Sequence, residues 1–328
     1  MKLSKLTSLV LSGAMMIIMA ACSGSSPSPS APAEKESFVV GICQLAPHVA
    51  LDAATQGFKD ALSEALPGKV EFKDGNAAGD TPTCATIVNG FVSENVDLIM
   101  ANATPAVQAA ATATGDIPVL GTSVTEYGVA FGIQNFNGLV GTNVSGTSDL
   151  APLDQQVDMI CEWFPEAKTV GLLYCSAEPN SQYQVDEVQK FLEAKGITCT
   201  QYSFADTNDM AAVTQTAADA SDVIYVPTDN TVANNTGVID NICRPAGIPV
   251  IAGEEGICKG CGVATLSISY YDLGVATGKM AAKILTGESN VSEMPIEYAA
   301  NVTPKFNPVI CESLGITPMA GYEAIVME

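Results

Sequence analysis

The sequence predicts an α/β fold built from two doubly wound lobes with parallel sheets. Three observations carry that prediction. From Phe38 onward, short β-branched runs alternate with longer helical patterns about a dozen times. The order strand, helix, strand, helix, strand, helix, strand occurs once before about Val144 and again after about Leu150. About 290 residues follow the N-terminal segments, more than one typical domain and enough for two cores.

In chain order, FVVGIC at 38–43 has strand length and leads into a helical pattern over 50–66. Strand 70–73 precedes helix 83–93, strand 98–101 precedes helix 105–114, and strand 119–121 closes the first set. The second set runs helix 152–164, strand 169–174, helix 181–195, strand 198–203, helix 210–220, strand 223–226, helix 232–244 and strand 250–252. Strand 263–267 and helix 273–285 follow. One lobe is therefore expected over 37–144 plus 270–300, the other over 145–269 plus 301–328. In such sheets the carboxyl ends of the strands face a crevice where ligands bind. Two lobes that turn those ends toward each other make a cleft able to hinge shut.

The N-terminus reads as a targeting segment over 1–21. Lys2 and Lys5 precede an apolar run over 6–20, which ends in the small residues Ala20 and Ala21 and then Cys22. The run is shorter than the ~20 apolar residues of a permanent membrane helix. Met19-Ala20-Ala21-Cys22 resembles the bacterial lipobox, with Met19 where Leu is usual, and this implies lipidation of Cys22. An ordinary cleavable signal with an incidental cysteine is the alternative. SGSSPSPSAPA at 23–33 has no large apolar residue to order it, so 22–36 reads as a flexible tether. The layout is that of a protein held by a lipid anchor at the extracytoplasmic face of the cell membrane.

The composition is 47% hydrophobic and 15% charged, with 36 acidic against 14 basic residues and a formal net charge of −22. Such a body excludes nucleic acid as a partner, and charge alone will not hold it on an anionic membrane. The ten cysteines are dispersed, mostly inside apolar periodic segments, which reads as buried thiols and not as a disulfide framework. Without Cys22 their number is odd, so at least one thiol stays free.

Thr104-Pro105, Ser148-Asp149 ahead of Pro152, Asn180-Ser181, and Thr228-Asp229-Asn230 all follow strands and look like helix N-caps. Capping alone accounts for each. Clustered at strand ends in both halves, they also make an anion-binding surface of free N–H groups. The chain has one arginine, Arg244, near a helix end, so no arginine fork is available for a phosphate or carboxylate. A carboxylate ligand would rest on helix starts, with Asp149, Asp229 and Glu254 accepting from an ammonium group.

Catalytic signatures are missing. His48 is the single histidine, and no G-x-S-x-G elbow, phosphate loop or dinucleotide fingerprint occurs. His48 follows the first strand, where it either faces ligand or orients its own loop. Cys258-Lys259-Gly260-Cys261 lies among glycines and lacks a second pair at zinc spacing, so it reads as a loop staple or two idle thiols. Trp163 reads as a packing plug, and Tyr270-Tyr271 either line the cleft or fill the hinge. The expectation is therefore a binding protein with no enzymatic activity, no cofactor and no metal.

Over nearly its whole mature length the chain resembles bacterial ABC transporter substrate-binding proteins of the tryptophan/tyrosine type. The likeness rests on VGICQLAPHVALDAATQGFKDAL (40–62), ATPAVQAAA (103–111), GTSDLAPLDQQ (146–156), VPTDNTV (226–232) and YYDLGVATGKMAAKILTGE (270–288). It implies a type I periplasmic-binding-protein fold, with the two lobes joined by a three-strand hinge and an aromatic amino acid as ligand. It maps ligand loops onto Gln44, His48, Thr104, Ser148, Asp149, Ser176, Asn180, Ser181, Thr228, Asp229, Asn230 and Glu254. Family members commonly have Glu-His-Pro where this chain has Pro47-His48-Val49, and Asn-Ser-Gly where it has Cys175-Ser176-Ala177. The headgroup expectation is accordingly firmer than the aromatic one.

The expected mechanism puts the ligand carboxylate on helix starts and its ammonium on Asp229, with help from Asp149. The lobes then close, and an ABC permease in the membrane recognises the closed monomer. A sensory protein serving a membrane receptor, the same fold binding a sugar or nucleoside, and a secreted enzyme with a Rossmann-like body are the alternatives.

Overall fold

The computed structural model describes residues 35–327. The signal expected at 1–21, Cys22 and most of the tether expected at 22–36 lie outside the described residues.

Lobe 1 runs β1 (Phe38–Gln44), α1 (Val49–Ala65), β2 (Val70–Asn76), α2 (Thr81–Ser93), β3 (Leu98–Asn102), α3 (Thr104–Ala113), β4 (Val119–Val124), α4 (Tyr127–Phe131) and β5 (Val144–Ser148). Lobe 2 runs α5 (Leu153–Trp163), β6 (Thr169–Cys175), α6 (Pro179–Ala194), β7 (Thr198–Phe204), α7 (Thr207–Ala220), β8 (Val223–Val226), α8 (Asn230–Ala233), α9 (Thr236–Ala246), β9 (Val250–Ala252), α10 (Glu255–Cys261) and β10 (Ala264–Ser267). The chain then returns to lobe 1 for α11 (Tyr270–Leu285) and β11 (Glu297–Tyr298). It ends in lobe 2 with β12 (Thr303–Phe306), α12 (Pro308–Leu314) and β13 (Glu323–Ala324).

The two sheets have the orders β11-β5-β4-β3-β1-β2 and β13-β12-β10-β9-β8-β6-β7. All pairings are parallel except that of β10 with β12. Central strands are apolar on both sides because helices cover both faces. In lobe 1, Val40, Ile42, Met100 and Leu120 meet Phe58, Leu62 and Met280 on one face. Cys43, Ile99 and Ala101 meet Val88, Phe91 and Val107 on the other. In lobe 2, one face carries Val157, Ile160, Val188 and Leu192, and the opposite face carries Met210, Ile239 and Ile257. Each such side chain contributes roughly 1.5–3 kcal/mol.

The chain crosses between lobes at 149–152, 268–269 and 299–302, the three connections of the hinge. The first crossing falls later than the boundary expected at 144, because β5 belongs to the first sheet. VSGTS carries one apolar side chain, so periodicity does not mark it. It is nonetheless buried, held by Ser145 Oγ donating to Met294 O at 2.8 Å and by Thr147 Oγ1 at 2.9 Å from Thr277 Oγ1.

Helices α1 and α11 approach at backbone distance. A Cβ on Gly57 would lie 2.1 Å from Tyr271 O, and one on Gly274 would lie 2.0 Å from Ala54 O. That contact fixes the start of α11, and with it Tyr270, at the mouth of the hinge. Gly274→Ala is expected to lower the unfolding free energy by ~1–3 kcal/mol. Gly90→Ala, where nothing lies within 4 Å, should leave it unchanged or raise it slightly. Denaturant titration checks both, and equal midpoints for the two variants would contradict the close approach.

Candidate functional site

Side chains from both lobes line a narrow gap. Lobe 1 supplies His48 and Leu51 at the start of α1, Ser123 and Thr125 after the bend in β4, Asp149 on the first crossing, and Tyr270 at the start of α11. Lobe 2 supplies Asn180 from the first turn of α6, Thr228, Asp229 and Asn230 around the start of α8, and Glu254 ahead of α10.

Three buried polar atoms in this gap have no partner: Ser123 Oγ, Asp149 Oδ1 and Asn180 Oδ1. Buried polar groups are normally paired, so three that converge from two lobes mark a place where something else is meant to sit. Each is held in position by its own surroundings. Ser123 has φ 53, in the left-handed region, at an irregularity in the β4–β5 register. Asp149 Oδ2 accepts from the Tyr270 hydroxyl at 3.0 Å. Asn180 Nδ2 donates to Thr228 O at 3.2 Å.

The acids are buried without a cation beside them, for no lysine or arginine lines the gap. Burial pushes Asp149 up to about 6, helped by the charge on Glu254 and opposed by hydrogen bonds from Thr125 and Tyr270. Burial raises Asp229 to about 7, with Glu178 adding to the effect. Glu254 also rises to about 7 through burial, against the backbone amides it accepts from.

Two helix starts in the gap already hold carboxylates. Glu254 caps α10, accepting from Gly256 N at 2.6 Å and from Ile257 N. Glu178 takes both the Asn230 N–H at 3.0 Å and the Thr231 N–H at 2.8 Å at the start of α8. Asp229 accepts from Val232 N at 2.9 Å and Cys175 N at 2.8 Å. The first turn of α1 is different. His48 Nδ1 accepts from Ala50 N at 3.3 Å, which leaves the proton of the neutral ring on Nε2, while Leu51 N–H has no partner among the described residues. Burial lowers the His48 pKa, with Asp52 opposing. His48 Nε2 and Glu254 Oε1 lie 3.0 Å from the same point, the position of a Cβ on Gly256, so the two lobes meet there.

Of the twelve expected ligand residues, the gap brings together His48, Asp149, Asn180, Thr228, Asp229, Asn230 and Glu254. Five stand outside its lining. Gln44 spends its amide on Ala46 O at 2.7 Å, Asp52 Oδ1 at 2.6 Å and the Thr55 hydroxyl at 2.7 Å. Thr104 is buried in the first turn of α3. Ser148 Oγ donates to Thr125 O at 2.7 Å, Ser176 Oγ to Phe204 O at 3.2 Å, and Ser181 supports Asp229 from behind.

The capping expectation holds for Asp229 and needs correction elsewhere. The residues preceding α3, α5 and α6 are Ala103, Pro152 and Glu178, none with a side-chain cap bond, because each helix begins at or near a proline whose missing N–H needs no partner. Ser123, Thr125 and Glu178 were not legible from the sequence, since nothing in TSVTE or SAEP distinguishes them from ordinary turn residues. Tyr270 faces the gap, while Tyr271 is exposed and bonds Asp60. Trp163 is buried edge-on to Tyr322, as a plug. Cys258 and Cys261 lie in helix α10 and not in a loop. Both are free and buried, with thiol pKa values pushed upward, as suits idle thiols. Among the described residues no cluster of His, Cys, Asp or Glu is placed to hold a metal.

The family model for ABC transporter substrate binding protein matches residues 39–321. The chain belongs to that family. Among its relatives, a tyrosine-binding protein from Clostridioides difficile is 32% identical over 309 residues, 90% of this chain and 88% of that protein. A Streptococcus pneumonia ABC domain solved in complex with L-Trp is 31% identical, with a TM-score of 0.83 over 88% of this chain and all of the other. A ligand-free, open substrate-binding protein with adhesive properties from Clostridium difficile is 36% identical, with a TM-score of 0.70 over 89% of this chain and all of the other. A leucine-binding protein from Thermotoga maritima shares the type I fold alone, at 13% identity and a TM-score of 0.59. Of the first two structures, the more identical is the less similar in shape, and it is the open one.

The three acids make the cleft sensitive to pH. Each binds its proton more tightly in the folded state than its ordinary value of 3.8 or 4.5 would allow, so its contribution to stability is complete below about pH 4 and is lost as pH rises through 6–7. Asp149→Asn is expected to stabilise the ligand-free protein by roughly 2–3 kcal/mol at pH 8 and by only about 1 kcal/mol at pH 4.5. Denaturant titrations at the two values check this, and an equal effect at both would contradict it.

Proposed function

We propose that this protein is the extracytoplasmic receptor of an ABC importer for a free amino acid, with aromatic side chains preferred. On this reading it is lipid-anchored through Cys22, leashed by the Ser/Pro segment, monomeric, and without enzymatic turnover. The observation that carries the proposal is the convergence of Asp149 Oδ1, Asn180 Oδ1 and Ser123 Oγ on one closed, cation-free gap. Two acceptors and a hydroxyl match an ammonium and one oxygen of a carboxylate.

The ammonium site moves relative to the sequence expectation. Both Asp229 oxygens already accept backbone N–H groups, so Asp149, whose Oδ1 is unengaged, is the principal partner and Asn180 the second. The carboxylate takes the Ser123 hydroxyl and the Leu51 N–H in the first turn of α1, the helix start that no acid occupies. Three or four charge-assisted bonds at ~1.5–3 kcal/mol each, with apolar burial, suffice for a micromolar Kd of about −8 kcal/mol after the cost of association. Tyrosine-binding and L-Trp-bound relatives support the aromatic preference. A sugar is poorly served, since Tyr270 is the sole phenol or indole in the lining and no aromatic sandwich forms.

Calorimetry with tyrosine and tryptophan is expected to give micromolar binding, abolished by N-acetylation. Asp149→Asn should weaken it at least about tenfold with the fold retained by circular dichroism. Binding of sugars or nucleosides but not amino acids, or full affinity in Asp149→Asn, would overturn the proposal.

A further inference from the structure

A second and much larger cavity adjoins the gap and shares His48, Ala50, Ala233, Glu254 and Tyr270 with it. Both lobes wall it. Val49 and Tyr271 from lobe 1 and Val326 from lobe 2 form an exposed apolar rim. Its lining carries what the inner gap lacks, two lysines, beside Glu254 and Glu255. Lys305 is engaged with Glu255 at 2.7 Å, and Lys259, half-buried at the end of α10, forms no ion pair among the described residues.

The inner gap receives a carboxylate without any cation to balance it. Asp149, Asp229 and Glu254 surround it, and the starts of α8 and α10 are already taken by Glu178 and Glu254. The donors that remain, the Ser123 hydroxyl, the Leu51 N–H and the His48 Nε2–H, are neutral. A peptide carbonyl uses those same donors without bringing a second negative charge among the acids. Its chain then has a direction in which to leave, past His48 and Tyr270 into the adjoining cavity toward Lys259.

We propose that the protein also takes short peptides with a free N-terminus. The first residue sits in the inner gap, and the C-terminal carboxylate is received by Lys259 in the adjoining cavity. This rests on the amino-acid reading of the inner gap and widens its substrate class. No bond is made or broken. Selection follows from charge, with the ammonium at the acid-lined end and the carboxylate at the lysine end, separated by one peptide unit or more.

The test is competition calorimetry on the purified protein with tyrosine, Tyr-Gly and Tyr-Gly amide, for the natural sequence and for Lys259→Gln. Tyr-Gly is expected to bind within about tenfold of tyrosine. Lys259→Gln should weaken Tyr-Gly at least about fivefold, to the level of Tyr-Gly amide, and leave tyrosine within about twofold. Lys259 lies outside the inner gap, so its loss does not disturb the ammonium site. Tyrosine binding with no detectable Tyr-Gly binding overturns the peptide proposal alone. So does a Lys259→Gln effect that is absent, or equal for tyrosine and Tyr-Gly. Failure of every ligand, tyrosine included, would overturn the amino-acid reading as well.

Discussion

The architecture of the site follows from a single electrostatic constraint: three carboxyl groups are buried together between two lobes with no cation to compensate them. Burial of an unpaired charge is costly, and such groups respond by holding protons or by acquiring a partner. Asp229 and Glu254 reduce the cost by accepting backbone amides at helix starts. Asp149 is supported by the Tyr270 and Thr125 hydroxyls and by no helix-start amide, and its Oδ1 has no partner among the described residues. On the proposed reading a ligand ammonium supplies the missing charge, and because Asp149 sits on a crossing between lobes, recognition and closure become one event.

The same constraint explains what the cleft refuses. Helix starts are ordinarily where α/β proteins receive anions. Here α8 and α10 have theirs filled by Glu178 and Glu254, so phosphorylated ligands meet occupied sites lined by acid. Arg244, the chain's one arginine, is committed to Asp240 on its own helix. In the first turn of α1 the Leu51 N–H has no partner among the described residues, next to a histidine that is neutral because it is buried and accepts from Ala50. Its position depends on the packing of α1 against α11, where Gly57 and Gly274 let the backbones touch. Glycines far from the ligand in sequence thereby set the distance between His48 and Tyr270.

Much of this was legible in the residues. The parallel α/β grammar, the repeat into two halves and the strand-to-helix junctions with Asp149, Asn180, Asp229 and Glu254 all follow from pattern and composition. What escaped has physical reasons. Strand β5 is polar and is held by side-chain hydrogen bonds in place of apolar contacts, so hydrophobic periodicity is blind to it. Helix α10 hides among glycines, one of which, Gly260, packs so close to Thr236 that a Cβ would lie 2.1 Å from its hydroxyl oxygen. Ser123 matters because of a left-handed backbone that a one-dimensional pattern does not encode. Gln44 looked like a ligand residue and is instead a brace, since only three-dimensional neighbours reveal that Ala46, Asp52 and Thr55 consume its amide.

Protons report most directly on whether an ammonium group compensates the buried acids. Tyrosine binding measured at pH 6.5 by calorimetry in buffers of differing ionisation enthalpy gives the number of protons exchanged. Neutralisation of Asp149 and its neighbours by the ligand should expel a net fraction of a proton to about one proton into the buffer. Exchange of none, or net uptake, would contradict the assignment of the cleft as an ammonium site.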